Sequence, residues 1–376
     1  MAESGTCLGS ERLIVLLLAA LMAACGGGSA GPRQEIAIAW TTPDGAGRLG
    51  VVATADPWEL TRGPVDAGAN ALLQCASPGK FLLLSRSSGV LSEVDEESLA
   101  INEIALFLPD DVQDFTVADG QVWVTRHSSS RLARVDLTTG VVRESTDFSA
   151  YADADGNADL GTVLAHDGKL YVQIRRFNAD EPWGQAAPAQ IGVVDAASEA
   201  LVDADPESPG TQTIVLKGRA PKHRMQVVPG RGQLAVSASG TLFDRGGIEL
   251  VDLARLRSLG LAVREADGQI GADLGPLVLT GSDRGFLEFS TDFDLSSHLV
   301  EFRFGPPPQI GPQLIAAVGY AVPALAHARR HQLLFVPEGG GFPEGYNVFD
   351  TVTGERLSSE TLALDGRPTD LMVLCE

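Results

Sequence analysis

Six segments of this chain repeat one design. Each opens on an apolar, strand-like run and breaks on polar residues. A second run follows, and in the clear copies it ends in a hydrophobic residue plus Asp before a turn. The copies are Lys80 to Asp95 (KFLLLSRSSGVLSEVD), Gly120 to Val142 (GQVWVTRHSSSRLARVDLTTGVV), Lys169 to Asp195, Gln233 to Asp252, Gln332 to Asp350 and a divergent copy from Phe286 to Phe302. First runs begin at positions 80, 121, 169, 233, 286 and 332, so the steps are 41, 48, 64, 53 and 46 residues. Apolar and polar residues alternate within the runs with the period of two that marks a strand. Asp-Gly, Thr-Gly, Pro-Gly and Gly-Gly pairs supply the turns. Helical signal is slight: Asp252-LARLRSLG could form a turn or two, and fits better as a decoration on a strand unit. A repeat of about 40–50 residues with four short strands each is the signature of β-propeller blades.

Each blade also needs an innermost strand ahead of the two just described. Seven segments fit: Asn70-ALLQC, Asp114-FTVAD, Asp159-LGTVLAHD, His223-RMQVVPG, Gly275-PLVLTGS, Val322-PALAHAR and Asp370-LMVLC. The last lacks following strands, while Glu35-IAIAWTT, Arg48-LGVVATAD and Trp58-ELTRG lack an inner one. Joining them makes a blade whose inner strand is C-terminal and whose other strands are N-terminal, which leaves no long open edge. The expectation is an all-β, seven-bladed β-propeller over residues 35–376, closed by N- and C-terminal strands. Six or eight blades remain open, because the 64-residue step could hide an insertion.

The N-terminus carries a different message. Leu13 to Ala24 is twelve apolar residues, too short to span a bilayer and suited to a secretory h-region. Leu21-Met-Ala-Ala-Cys25 resembles the bacterial lipobox, which implies a signal peptide at 1–24 and a lipidated Cys25. Each buried CH₂ adds about 0.8 kcal/mol, so two or more acyl chains anchor firmly. Residues 25–34 then read as a Gly/Ser tether. Glu3 and Glu11 against Arg12 make the n-region atypical. With Gly rather than Asp at position 26, the resemblance favours the outer membrane, the body facing the periplasm or exterior. Of four cysteines, Cys7 leaves with the signal and Cys25 takes lipid, leaving Cys75 and Cys375. Each lies five residues into an inner strand of neighbouring blades, so in an oxidising compartment a disulfide is expected, the other reading being two buried thiols.

Val122-WVTRHSSSRLARVDLTTG resembles the YVTN type of bacterial propeller repeat. Asp155 to Phe177 is similar to a group of exported propeller proteins without assigned activity, although Ala158 stands where that group often has Pro. The resemblance covers about residues 35–376 and implies fold more than function.

With 28 basic and 49 acidic residues the net charge is −21, which argues against a nucleic-acid partner. Loops from second to third strands, and those leading into inner strands, open on one face of a propeller. On that face we expect Arg126, His127, Arg175, Arg176, Phe177, Trp183 and His223, with Phe243, Phe293 and Phe342. Arg and aromatic side chains carry much interface energy, so a small molecule or protein partner is the expected ligand. Asp153, Asp155, Asn157 and Asp159 place four oxygen-bearing side chains at alternate positions, which could wrap Ca²⁺. The spacing lacks an EF-hand's Gly and Glu, and an acidic turn capped by Asx bonds is the competing reading. No Cys-x-x-Cys occurs. His327 and His331 form a His-x-x-x-His pair, but their flanks read as strands around a turn. The expectation is therefore a monomeric, non-catalytic binding module with no cofactor. The alternative is a lactonase-like hydrolase with one metal at the channel face.

Overall fold

A computed structural model describes residues 34–375 apart from 109–110, 154–155, 177–187, 220, 239–245, 265–269, 271–272, 291–295, 319–321 and 341–343. The strands form seven separate antiparallel sheets in a ring. The first blade runs outward through Ala71–Ser77, Lys80–Ser85, Val90–Asp95 and Ile101–Leu106. The second is Val112–Ala118, Gln121–Arg126, Arg131–Asp136 and Val142–Asp147. The third begins Leu160–His166, Lys169–Ile174, Gln190–Asp195, and its outer strand is split into Leu201–Val202 and Ile214–Val215. The split accommodates the long sequence step there without adding a blade. The fourth blade is Gln226–Val228, Gln233–Ala238, Gly247–Asp252 and Arg257–Arg264. Asp252-LARLRSLG is therefore no helix. Its last residues pair along Gly247–Asp252 as an outer strand, where hydrogen-bond partners on the sheet edge outweigh a weak helical period. The fifth blade is Asp273–Leu279, Arg284–Ser290, Ser296–Arg303 and Gln309–Val318, and the sixth is Ala326–Ala328, Leu333–Glu338, Gly345–Asp350 and Leu362–Ala363.

The seventh sheet closes the ring. Its inner strand, Arg367–Val373, pairs with Glu35–Thr41, which continues to Gly47–Ala53 and Leu60–Ala67. Ala37 faces Met372 and Ile38 faces Leu371 in the register. The Cys75–Cys375 disulfide, with Cα atoms 5.4 Å apart, ties this inner strand to that of the first blade.

Buried apolar residues fall into seven layers, one between each pair of neighbouring blades. The strand Arg284–Ser290 shows why. Leu287 and Phe289 pack toward the fourth blade, while Phe286 packs toward the sixth. Successive side chains point to opposite faces, and both faces are covered. Second strands such as Lys80–Ser85 are consequently buried along nearly their whole length, not on alternate residues as on a one-sided sheet. Each fully buried Leu or Phe contributes about 1.5–3 kcal/mol.

The repeated Asp that ends the third strand caps the turn after it. Asp95 Oδ1 accepts the Ser98 N–H, Asp136 Oδ1 the Thr138 and Thr139 N–H groups, and Asp350 Oδ1 those of Val352 and Thr353. Asp195 and Asp252 repeat the arrangement. These bonds favour the charged form and hold all five carboxyls below the usual range.

Candidate functional site

Seven inner strands converge on the axis, and where they begin they enclose a cavity of about 1040 Å³. Its wall comes from the residues that open those strands, with the ends of several second strands behind them. This is the face to which the blade-to-blade loops and the second-to-third-strand loops lead. The disulfide lies toward the other ends of the inner strands.

Arg224, just ahead of the inner strand of the fourth blade, reaches across the axis. Its Nε donates to Asp114 Oδ1 on the second blade at 3.0 Å. Its Nη1 donates to Asp370 Oδ2 on the closing blade at 3.1 Å and to the Leu73 carbonyl on the first at 3.0 Å. Side chains of Asp114 and Asp370 are 2% and 5% exposed, that of Arg224 33%. Both carboxylates are supported from behind: Asp114 accepts the Val163 N–H and Asp370 those of Leu73 and Leu371. Burial works against the guanidinium charge, but Asp114 and Asp370 outweigh it and hold its pKa above the ordinary value. Burial raises Asp370, opposed by Arg224. Arg224 Nη2 is buried with no hydrogen-bond partner among the described residues. One side chain thus joins four blades at the axis.

Around it stand Arg86, Lys222, His223, Arg367, Glu288, Glu344 and His327. The Arg86 Nε donates to the Val112 carbonyl at 3.2 Å. The His223 carbonyl accepts from Gln173 Nε2 and Thr162 Oγ1, which fixes the segment carrying Arg224. Glu288 is 4% exposed, and Gly275 makes room for it: a Cβ there would lie 1.5 Å from Glu288 Oε2. Burial, then Arg329 and Arg284, push His327 down to about 4, so this wall member is neutral at pH 7.

Of the residues that the sequence places on the ligand face, His223 lines the cavity. Arg126 does not. It ends the second strand of its blade, and its guanidinium is engaged by Glu144 and Ser129. The His127 N–H donates to the Asp111 carbonyl, just ahead of the inner strand of the same blade. Arg175 and Arg176 are half-buried at the end of the corresponding strand of the third blade. Burial lowers the Arg175 pKa, with Asp159 opposing and Arg86 adding to the shift. Phe177, Trp183, Phe243, Phe293 and Phe342 lie outside the described residues, as do Cys25 and Asp155.

In the Asp153–Asp159 stretch, Asn157 Oδ1 accepts from Ser130 Oγ and the Asp159 N–H, and its Nδ2 donates to the His127 carbonyl at 2.7 Å. The Asp153 N–H donates to the Asn157 carbonyl. Asn157 thus pins this turn to the second blade. Among the described residues no group of three or more His, Cys, Asp or Glu side chains is placed to hold a metal, and no helix is long and apolar enough to cross a membrane.

Sequence reasoning named the segments that open the inner strands but not the axial cluster of Arg224, Asp114, Asp370, Arg86 and Glu288. A signal was present: Asp114 and Asp370 each fall inside an inner strand, Val112–Ala118 and Arg367–Val373, where a buried charge needs a partner.

No family model matches the chain, and no curated protein does. Solved structures match at the level of fold. The chain is similar to the periplasmic gluconolactonase PpgL of Pseudomonas aeruginosa, with TM-score 0.64, 14% identity, and coverage of 92% of this chain and 99% of that one. It is similar to a Bacteroides fragilis protein provisionally assigned as a 6-phosphogluconolactonase, with TM-score 0.64, 11% identity and coverage of 92% and 99%. It also resembles apo AztD of Citrobacter koseri, with TM-score 0.53, 12% identity and coverage of 91% and 98%. At such identities the likeness is one of architecture.

Proposed function

We propose that this chain is a non-catalytic binding propeller of the cell envelope, of the exported YVTN type, held to the outer membrane through Cys25 and engaging a small ligand or a partner at its axial cavity. The cavity carries this reading. It has the volume of a small-molecule site, a rigid frame of seven inner strands, and polar groups converging from several blades. The Arg224 cluster fixes that frame, so a ligand meets pre-set groups and little ordering cost is spent on binding. Support for the envelope comes from the lipobox-like sequence, the disulfide and the periplasmic setting of PpgL.

The test is a thermal-shift screen of the full chain in detergent against sugars, sugar acids, lactones, amino acids and short peptides, with mass spectrometry of the incubated compounds. A raised unfolding midpoint with the compound intact is expected. Hydrolysis of a lactone, dependent on a stoichiometric metal, would replace this reading with the hydrolase. Separately, Cys25→Ser should move the protein from the membrane to the soluble fraction. If the variant stays membrane-bound, the anchor assignment fails.

A further inference from the structure

The chain enters the propeller at Gln34, and that point is fixed to the ring. Gln34 is buried; its carbonyl accepts from Thr54 Oγ1, and its Oε1 accepts the Arg330 N–H at 2.9 Å. The Glu35 carbonyl accepts the Leu374 N–H at 2.9 Å, beside Cys375 of the disulfide. Glu35 Oε2 accepts from Arg62 Nη2 at 2.7 Å. Glu35 opens a second strand, so it stands where the inner strands end, whereas the cavity lies where they begin. Peeling this root away would break the Glu35–Thr41 pairing that closes the ring. A tether to Cys25 therefore pivots at residue 34, on the face opposite the cavity.

Resting on the lipid anchor proposed at Cys25, the geometry points to an orientation: the disulfide face turns to the anchoring bilayer, and the cavity opens away from it to a soluble molecule or partner rather than a lipid of that bilayer. Reach decides this. Gln34 follows Cys25 by nine residues, a span of about 30–32 Å at full extension. A Gly/Ser coil of that length averages about 15–18 Å. To bring the cavity against the bilayer, the tether must first pass outward across two strands of the closing blade, about 10 Å. It must then run the length of Leu60–Ala67, about 26 Å more for eight residues. That path exceeds the reach. The disulfide face mixes the capping carboxylates of Asp95, Asp136, Asp195, Asp252 and Asp350 with the exposed Arg329 and Arg330. It has no uniform charge by which to adhere, so the tether sets the orientation.

The experiment places the lipidated full chain in vesicles that carry an acceptor dye on a lipid headgroup. A donor dye is attached to Ala55→Cys or to Pro43→Cys, both exposed turn positions at opposite ends of Gly47–Ala53. Energy transfer should be about twofold or more stronger from Ala55→Cys, because roughly 23 Å of strand separates the two sites. Inserting twenty Gly/Ser residues after Gly28 should erase the difference, since a coil of that length averages about 27–32 Å. Equal transfer with the native tether, or stronger transfer from Pro43→Cys, overturns the orientation. A difference that survives the longer tether overturns reach as its cause. A chain that does not float with the vesicles fails at the anchor instead, which the Cys25→Ser fractionation shows independently. Each labelled chain must melt as the wild type does, and Thr138→Cys on the disulfide face replaces Ala55→Cys if that variant does not.

Discussion

Arg224 and Asp370 are 146 positions apart, yet Arg224 Nη1 and Asp370 Oδ2 lie 3.1 Å apart across the propeller axis. The same oxygen accepts the Leu73 N–H at 2.8 Å, so the contact locks the closing blade, the first blade and the fourth together. It is at once the base of the candidate site and a fastener of the ring.

Removing the cation should therefore weaken the whole fold. Loss of one partner from a buried ion pair costs about 3–5 kcal/mol. Arg224 is one-third exposed, so Arg224→Gln should cost about 2–3 kcal/mol in urea unfolding. Arg224→Lys, which keeps the charge but not the fork, should recover part of it. A loss under about 0.5 kcal/mol, the size of an ordinary surface change, would show that the cluster holds nothing.

The disulfide spans 300 residues of sequence. Loop-closure entropy sets a ceiling near 5 kcal/mol for such a link, with about 2–4 kcal/mol usual. The Cys75→Ser, Cys375→Ser double variant should show a lower melting temperature, and a reductant should reproduce the drop in the wild type but not in the variant. An unchanged melting temperature would mean that the pairing with Glu35–Thr41 closes the ring unaided.

His327 gives a signed pH dependence. Its pKa is lowered from 6.5 to about 4 by burial and the neighbouring Arg329 and Arg284. The unfolded chain thus binds the proton more readily, and stability rises with pH between those values. The contribution is whole above about 6.5, is lost progressively as the pH falls, and stays lost below about 4. Discounted for partial solvent screening it is about 1–2 kcal/mol. His327→Asn should flatten this part of the stability–pH curve. NMR titration of His327 near its ordinary value would contradict the assignment.

Gly275→Ala should be costly for a reason visible at one atom pair. The new methyl would fall 1.5 Å from Glu288 Oε2 and 3.2 Å from its Cβ, so the carboxylate must leave its place. Overpacking of this kind costs about 1–3 kcal/mol. Glu288→Ser in the same chain should restore stability. If the double variant is no better than the single, the two residues do not compete for that space.

The repeat, the turn-capping Asp residues, the blade completed from both chain ends and the Cys75–Cys375 pair were all legible in the sequence. Each rests on local chemistry or on counting strands. Asp252-LARLRSLG was ambiguous because an eight-residue outer strand with one packed side resembles a short amphipathic turn. Asn157 shows a subtler limit. A row of oxygen-bearing side chains reads equally as a cation loop or as a turn, and only the positions of Ser130 and the His127 carbonyl show the bonds that it makes.

By itself, the sequence determined the order of the sheets and how the ends join, because period-two patterning and turn residues act between neighbours along the chain; it left six or eight blades open beside seven, and the structure has seven. Tertiary structure alone decided which charges meet at the axis. Arg126 and Arg224 each stand near the end of a strand segment, yet one pairs with Glu144 of its own blade and the other crosses to Asp114 and Asp370. That outcome depends on the angular position of each blade around the ring, which is set by how the seven apolar layers pack rather than by distance along the chain.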